Sequence, residues 1–176
     1  MLIGQGLSRI VADGFAFTNE IRFDANEEWL YISETTGKRV SRMRVADDGS
    51  LYDREIFGPS NLGAGFPDGI TFDAYGNLWT TMIMADRLIA ITPEGEVLEL
   101  LDDGDPKGTE QLETAFAKGV LTTEIMYAAK GQIAPWLASI TFGGADLKTV
   151  YLGSLIGTTI PYFRSPVPGL ALTHWR

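Results

Sequence analysis

The chain has no cysteine and a single histidine among its 176 residues. Without thiols there is no disulfide framework, no thiolate metal site and no cysteine nucleophile. His174 is the only side chain whose ordinary pKa lies near neutrality, and it has no paired nucleophile nearby in sequence, so catalysis is not expected of it. Basic residues are also in deficit: 14 Lys and Arg stand against 23 Asp and Glu, a net charge of −9. That balance repels phosphate backbones and anionic lipid surfaces, so no nucleic-acid or membrane partner is expected, whereas cations and neutral ligands are allowed. No apolar run approaches the ~18 residues of a membrane-spanning helix, and residues 1–10 lack the apolar core of a secretory signal, which makes the cytoplasm the expected location. A phosphate-cradling glycine loop is missing too.

What the chain does contain is repetition. Asn19-Glu-Ile-Arg-Phe-Asp-Ala25 and Asp68-Gly-Ile-Thr-Phe-Asp-Ala74 are one strand pattern written twice, 49 residues apart, each opened by an oxygen-bearing side chain. A third version, Ala138-Ser-Ile-Thr-Phe-Gly-Gly144, follows 70 residues later. Aromatic strands succeed each start, at Trp29–Ile32, Leu78–Thr81 and Val150–Gly153, and further strands are expected at Arg39–Val45 and Arg87–Ile91, running into turns at Asp48-Gly49 and Glu94-Gly95. Four short antiparallel strands per unit of ~40 to 50 residues is the arithmetic of a β-propeller blade. The reading is therefore all-β, a partial propeller with blades near 15–58, 64–103 and 133–176 and a leading strand at 7–12.

The extra residues before the third unit read as a helical insertion over 109–131. Thr109 is a candidate cap, Leu112, Phe116, Val120, Ile125 and Met126 form an apolar stripe, and the break at Gly119 with Thr122 or Thr123 as a new cap favours two short helices. The insertion is either a cover over the channel mouth or a surface excursion. Three blades cannot close a ring, because each blade buries its faces against two neighbours. Either N-terminal blades are missing or a second copy is needed, and the leading strand favours the first.

At Phe17-Thr-Asn-Glu-Ile-Arg-Phe-Asp24, Phe66-Pro-Asp-Gly-Ile-Thr-Phe-Asp-Ala-Tyr-Gly-Asn-Leu-Trp79, Asp86-Arg-Leu-Ile-Ala-Ile-Thr-Pro93 and Ala138-Ser-Ile-Thr-Phe-Gly-Gly144, the chain resembles the C-terminal half of the senescence-marker-protein, gluconolactonase and luciferin-regenerating-enzyme-like family. That resemblance implies a six-bladed propeller with a divalent cation at the channel mouth, expected to be Ca²⁺, with Mg²⁺, Mn²⁺ or Zn²⁺ as alternatives. Asn19 and Asp68 fall on two of the family's ligand positions, and the third repeat offers Ala138 where an oxygen donor would stand. The implied activity is hydrolysis of a sugar lactone or related ester, with Asp68 as metal ligand and general base. The alternative is a catalytically incomplete fragment or a non-enzymatic binding propeller.

Each of these residues also has a plainer reading. Asp68 precedes a glycine and Asn19 opens a strand, so both suit turns. Asp24 and Asp73 close their strands as turn formers. Arg39 and Arg87 are expected to hydrogen bond between elements, and Trp136, Pro135, Tyr162 and Phe163 are either core or mouth. Ser139 is a possible further oxygen near the channel.

Overall fold

The computed structural model describes residues 9–171. Three antiparallel sheets succeed one another along the chain. The first holds β1 (Thr18–Phe23), β2 (Trp29–Glu34), β3 (Arg39–Val45) and β4 (Leu51–Phe57) in that order. The second holds β5 (Phe66–Phe72), β6 (Leu78–Ile83), β7 (Arg87–Ile91) and β8 (Val97–Asp102), again in order. Two helices, α1 (Pro106–Ala117) and α2 (Thr123–Ala128), precede the third sheet, β9 (Leu137–Gly143), β10 (Thr149–Ser154) and β11 (Tyr162–Arg164). The architecture is mostly β, with the meander order of propeller blades.

Turn chemistry sets the hairpins. Asp24 Oδ1 accepts from the backbone N–H groups of Glu28 and Trp29. Asp73 does the same for Tyr75 and Asn77 and also takes the Trp79 indole N–H at 3.0 Å. Gly49 and Gly95, at φ of 76° and 87°, supply the left-handed residues that close the β3–β4 and β7–β8 turns.

Because side chains alternate along a strand, the second sheet feeds two cores. Leu78, Met82, Ile89 and Ile91 pack toward Tyr31, Val40 and Phe57 of the first sheet. Trp79, Leu88 and Ala90 pack toward Ile140, Phe142 and Val150 of the third. Aromatic edges lock both seams: Tyr31 meets Phe72 at 4.9 Å between centroids, and Trp79 meets Phe142 at 5.0 Å. Each such buried side chain contributes about 1.5–3 kcal/mol. The middle sheet is accordingly the driest, every residue of β6 being buried.

The structure departs from the expected units in three places. Leu7 and Ser8 lie outside the described residues, and residues 9–12 of the expected leading strand form no strand; the first one begins at Thr18. Among the described residues the third sheet has three strands instead of four. After β11 the chain crosses to the second sheet, where Ala74 N–H donates to Pro168 O and Leu170 N–H to Phe72 O. The insertion starts earlier than expected, because Asp105 caps α1 through Gly108 N–H at 2.7 Å with proline in the first turn, a stronger start than Thr109. The break at Gly119 and the Thr122 cap of α2 stand as expected.

The helices pack Leu112, Phe116, Ile125 and Met126 against Phe66, Ile83, Trp136 and Ala138, at the ends where β5 and β9 begin. Lys38, buried in the β2–β3 turn, pairs with Glu113 of α1 and lies over the Phe66 and Phe116 rings. Glu113 also accepts from Gly65 N–H at 3.0 Å, so one carboxylate ties α1 to the first two sheets.

Candidate metal centre

The first strand of each sheet carries the same irregularity. Pairing slips between Thr18 and Ile21 in β1, between Pro67 and Ile70 in β5, and opposite Gly153 and Ser154 in β9, each time by one extra residue on the inner strand. A bulge re-aims the side chains it contains. The residues placed there are Asn19, Asp68 and Ala138, the three openers of the sequence repeat.

Those bulges bring Asn19 and Asp68 together. Asn19 lies beside the Asp68 carboxylate, close enough to lower its pKa. Both residues line one open cavity of about 580 Å³ with Glu20, Ala138, Ser139 and Ser154. Asn19 also donates from Nδ2 to Thr35 Oγ1 at 3.3 Å. Asp68 is half-buried, and burial first, then the negative charge of Glu20, pushes its pKa up to about 6 despite the Asn19 hydrogen bond.

Glu20 is not free to join them. Its Oε2 accepts from Ile70 N–H at 2.9 Å, and its other oxygen pairs with Arg22. Arg22 Nε in turn donates to Ile70 O at 3.1 Å. Glu20 and Arg22, two residues apart on β1, thus satisfy both backbone groups of buried Ile70 on the edge strand β5. The clamp fixes the distance between the two strands that bear Asn19 and Asp68.

An Asp carboxylate and an Asn carbonyl are hard oxygen donors, and Ser139 lines the same cavity, so the donor chemistry fits a hard divalent cation; Ser154 lines it too, but its hydroxyl donates to Pro135 O and accepts from Gly157 N–H. These donors make up only part of a shell of six to eight oxygens. Among the described residues there is no cluster of three or more His, Asp or Glu side chains.

The other singled-out residues have structural partners. Arg39 pairs with buried Glu34 at 3.0 Å, and Arg87 with Glu99 at 2.7 Å and with Ala64 O. Burial would raise Glu34, but hydrogen bonds from Arg39, Ala16, Ser41 and Arg54 hold it at about 2. Trp136 packs on Tyr127 of α2, and Phe163 stacks near Trp79 in the second core. Tyr162 is exposed beside Tyr151. No residue of α1 or α2 lines the Asn19–Asp68 cavity. His174 lies outside the described residues.

Sequence reasoning missed Thr35, the clamp made by Glu20 and Arg22, and Ser154. A signal for the clamp existed: Glu20 stands where the other repeats have Gly69 and Ser139, a break in the pattern that marks a side chain with its own task.

The chain is 25% identical over 148 residues to a 6-deoxy-6-sulfogluconolactonase of Pseudomonas putida, and 26% identical over 149 residues to the pentonolactonase XacC of Haloferax volcanii. Each match covers 84% of this chain and 41% of the relative, so the chain spans about two fifths of their length. Among solved structures, a calcium-binding protein, regucalcin from Agrobacterium tumefaciens, superposes with a TM-score of 0.58 at 14% identity, covering 90% of this chain and 48% of that one. No helix among the described residues is long and apolar enough to cross a membrane. The family model for the SMP-30/gluconolactonase/LRE-like region matches residues 2–104, more than half of the sequence, and the chain belongs to that family.

Proposed function

We infer that this chain forms part of a metal-dependent lactone hydrolase, a propeller of the six-bladed type whose channel mouth holds a divalent cation, most simply Ca²⁺, on Asn19 and Asp68. The observation that carries this reading is the meeting of those two side chains at matching bulges of neighbouring inner strands. The lactonase relatives support the reaction class, and the regucalcin likeness supports the fold that hosts it. Further blades, N-terminal or from a second copy, complete the ring in this proposal.

A bound cation would polarise the lactone carbonyl and stabilise the oxyanion. The chain's own residues do the rest. Asn19 offers its carbonyl oxygen and Asp68 one carboxylate oxygen. The second Asp68 oxygen would take a proton from an attacking water, a role secondary to ligation because a bound cation would keep the carboxylate ionised and lower its proton affinity. Ser139 adds a neutral donor and acceptor for the hydroxyls of a sugar ring.

With two charged or amide donors, the isolated chain should bind Ca²⁺ weakly or not at all. Calorimetry that found micromolar affinity would overturn that expectation. Turnover of gluconolactone, lost on chelation and restored by Ca²⁺, tests the hydrolase itself. A second reading, an incomplete or non-catalytic binding propeller, is favoured by one feature: Ala138 brings no oxygen where the third strand meets the cavity. Native mass measurement separates the two, because an active dimer supports a shared ring and an inactive monomer supports the incomplete unit.

A further inference from the structure

We propose that Thr35 is a positioning residue for the candidate centre, fixing which end of the Asn19 amide faces the cavity and tying that side chain to the strand of Asp68; this deepens the metal-centre reading and rests on it. Thr35 follows the last residue of β2 and touches both inner strands at once. Its backbone N–H donates to Phe17 O at 3.0 Å, two residues before Asn19. Its hydroxyl donates to Pro67 O at 2.9 Å, one residue before Asp68. Its oxygen then accepts from Asn19 Nδ2 at 3.3 Å.

The direction of these bonds decides the geometry. A threonine hydroxyl has one proton, and Pro67 O, a carbonyl, can only accept it. With the proton spent there, Thr35 Oγ1 can face Asn19 only as an acceptor, so the amide nitrogen turns toward it and the carbonyl oxygen is left for the cavity. Without the hydroxyl, the acceptor left beside the amide would be the Asp68 carboxylate, and an amide turned toward it would present N–H groups that repel a cation. The same hydroxyl holds the backbone immediately before Asp68, so one atom sets both donors. Outer partners of this kind commonly change metal affinity by about 10–100-fold when removed.

Thr35→Val keeps the shape and deletes the hydroxyl; Thr35→Ser restores it. In the metal-free 176-residue chain, NMR side-chain couplings and amide exchange at Asn19 should report one ordered rotamer in the parent and in Thr35→Ser, and averaging in Thr35→Val, with dispersed backbone spectra in all three. An equally ordered Asn19 in a folded Thr35→Val chain overturns the proposal, as does disorder in Thr35→Ser. If Thr35→Val does not fold, Thr35→Ala and the serine variant carry the same comparison. A Ca²⁺ titration to about 50 mM, read at the Asn19 and Asp68 carbonyl carbons, should need about tenfold more Ca²⁺ in Thr35→Val than in the parent and Thr35→Ser. Equal midpoints would overturn the positioning role. If no variant, the parent included, responds to Ca²⁺ while Asn19 orders as expected, the positioning stands and the cation reading fails for this chain.

Discussion

The two seams of this molecule are built alike and end differently. At the first, between β1 and β5, the bulged positions hold Asn19 and Asp68, and the Thr35 hydroxyl bridges them. At the second, between β5 and β9, Thr81 makes the bridge, accepting from Gly69 N–H at 2.8 Å and donating to Ala138 O at 3.2 Å. The hydroxyl moves by two strand positions between the seams: Ser33, the counterpart of Thr81, is buried without a hydrogen-bond partner, and Ile83 stands where Thr35 would be. Gly69 lies so close to the third sheet that a Cβ would come within 2.6 Å of Ala138 O. The first seam is held by long side chains; at the second, the backbones of Gly69 and Ala138 pack directly against each other, with Thr81 bridging them. Of the three openers, the two that carry side-chain oxygens therefore meet at the first seam.

The largest effect expected from disturbing this contrast is at the first seam. Asp68→Asn should lower kcat/KM for lactone opening by about 100-fold or more, ~2.7 kcal/mol of transition-state stabilisation, in a preparation that turns over gluconolactone. Activity within about threefold of the parent, ~0.6 kcal/mol, would remove Asp68 from the mechanism. At the second seam, Gly69→Ala should cost about 1–3 kcal/mol, because its obstacles are backbone atoms that cannot step aside. Thermal unfolding should then fall by about 2–4 °C per kcal/mol for a chain of this size. An unchanged midpoint would show that the seam is looser than its contacts indicate.

Ala138→Asp tries to turn the second seam into the first by adding the missing oxygen donor beside the cavity. Calorimetry should register Ca²⁺ binding tightened by about tenfold, ~1.4 kcal/mol. No gain would mean that position 138 does not reach the space shared by Asn19 and Asp68.

The smallest effect is on pH dependence. Asp68 holds its proton more tightly in the folded chain, at about 6, than in the unfolded chain at 3.8. Its contribution to metal-free stability is therefore fullest below about pH 4 and is lost as pH rises toward 6. Glu34, lowered from 4.5 to about 2, acts oppositely: its contribution is present above pH 4.5 and lost on acidification toward 2. Urea midpoints measured from pH 3 to pH 7 should show a falling component that Asp68→Asn abolishes. Ca²⁺ affinity should also weaken below about pH 6, where protons compete for the same oxygen.

Much of the fold was legible because strands write their period into sequence. The hairpin starts Trp29 and Leu78, the strands Arg39–Val45 and Arg87–Ile91 and the break at Gly119 were all readable from alternation and turn residues. Among the described residues the third unit shows three strands, and the crossing of residues 168–170 to the second sheet is a tertiary event with no local signature. The start of α1 was misplaced by a choice between two plausible caps, Thr109 and Asp105, which proline in the first turn decided.

For the site, the 49-residue repeat made Asn19 and Asp68 equivalent openers of neighbouring units, and the family resemblance marked them as candidate ligands. The sequence by itself therefore determined the strand pattern, the pairing of the two openers and the family. Only the tertiary structure decided that Thr35 bridges them, that Glu20 is spent on Ile70 with Arg22, and that no helix residue lines the cavity. Local pattern follows from the alternation of side chains along a strand. Hydrogen bonds between units depend on which donors are left over once every strand has found its neighbour, and no single unit carries that information.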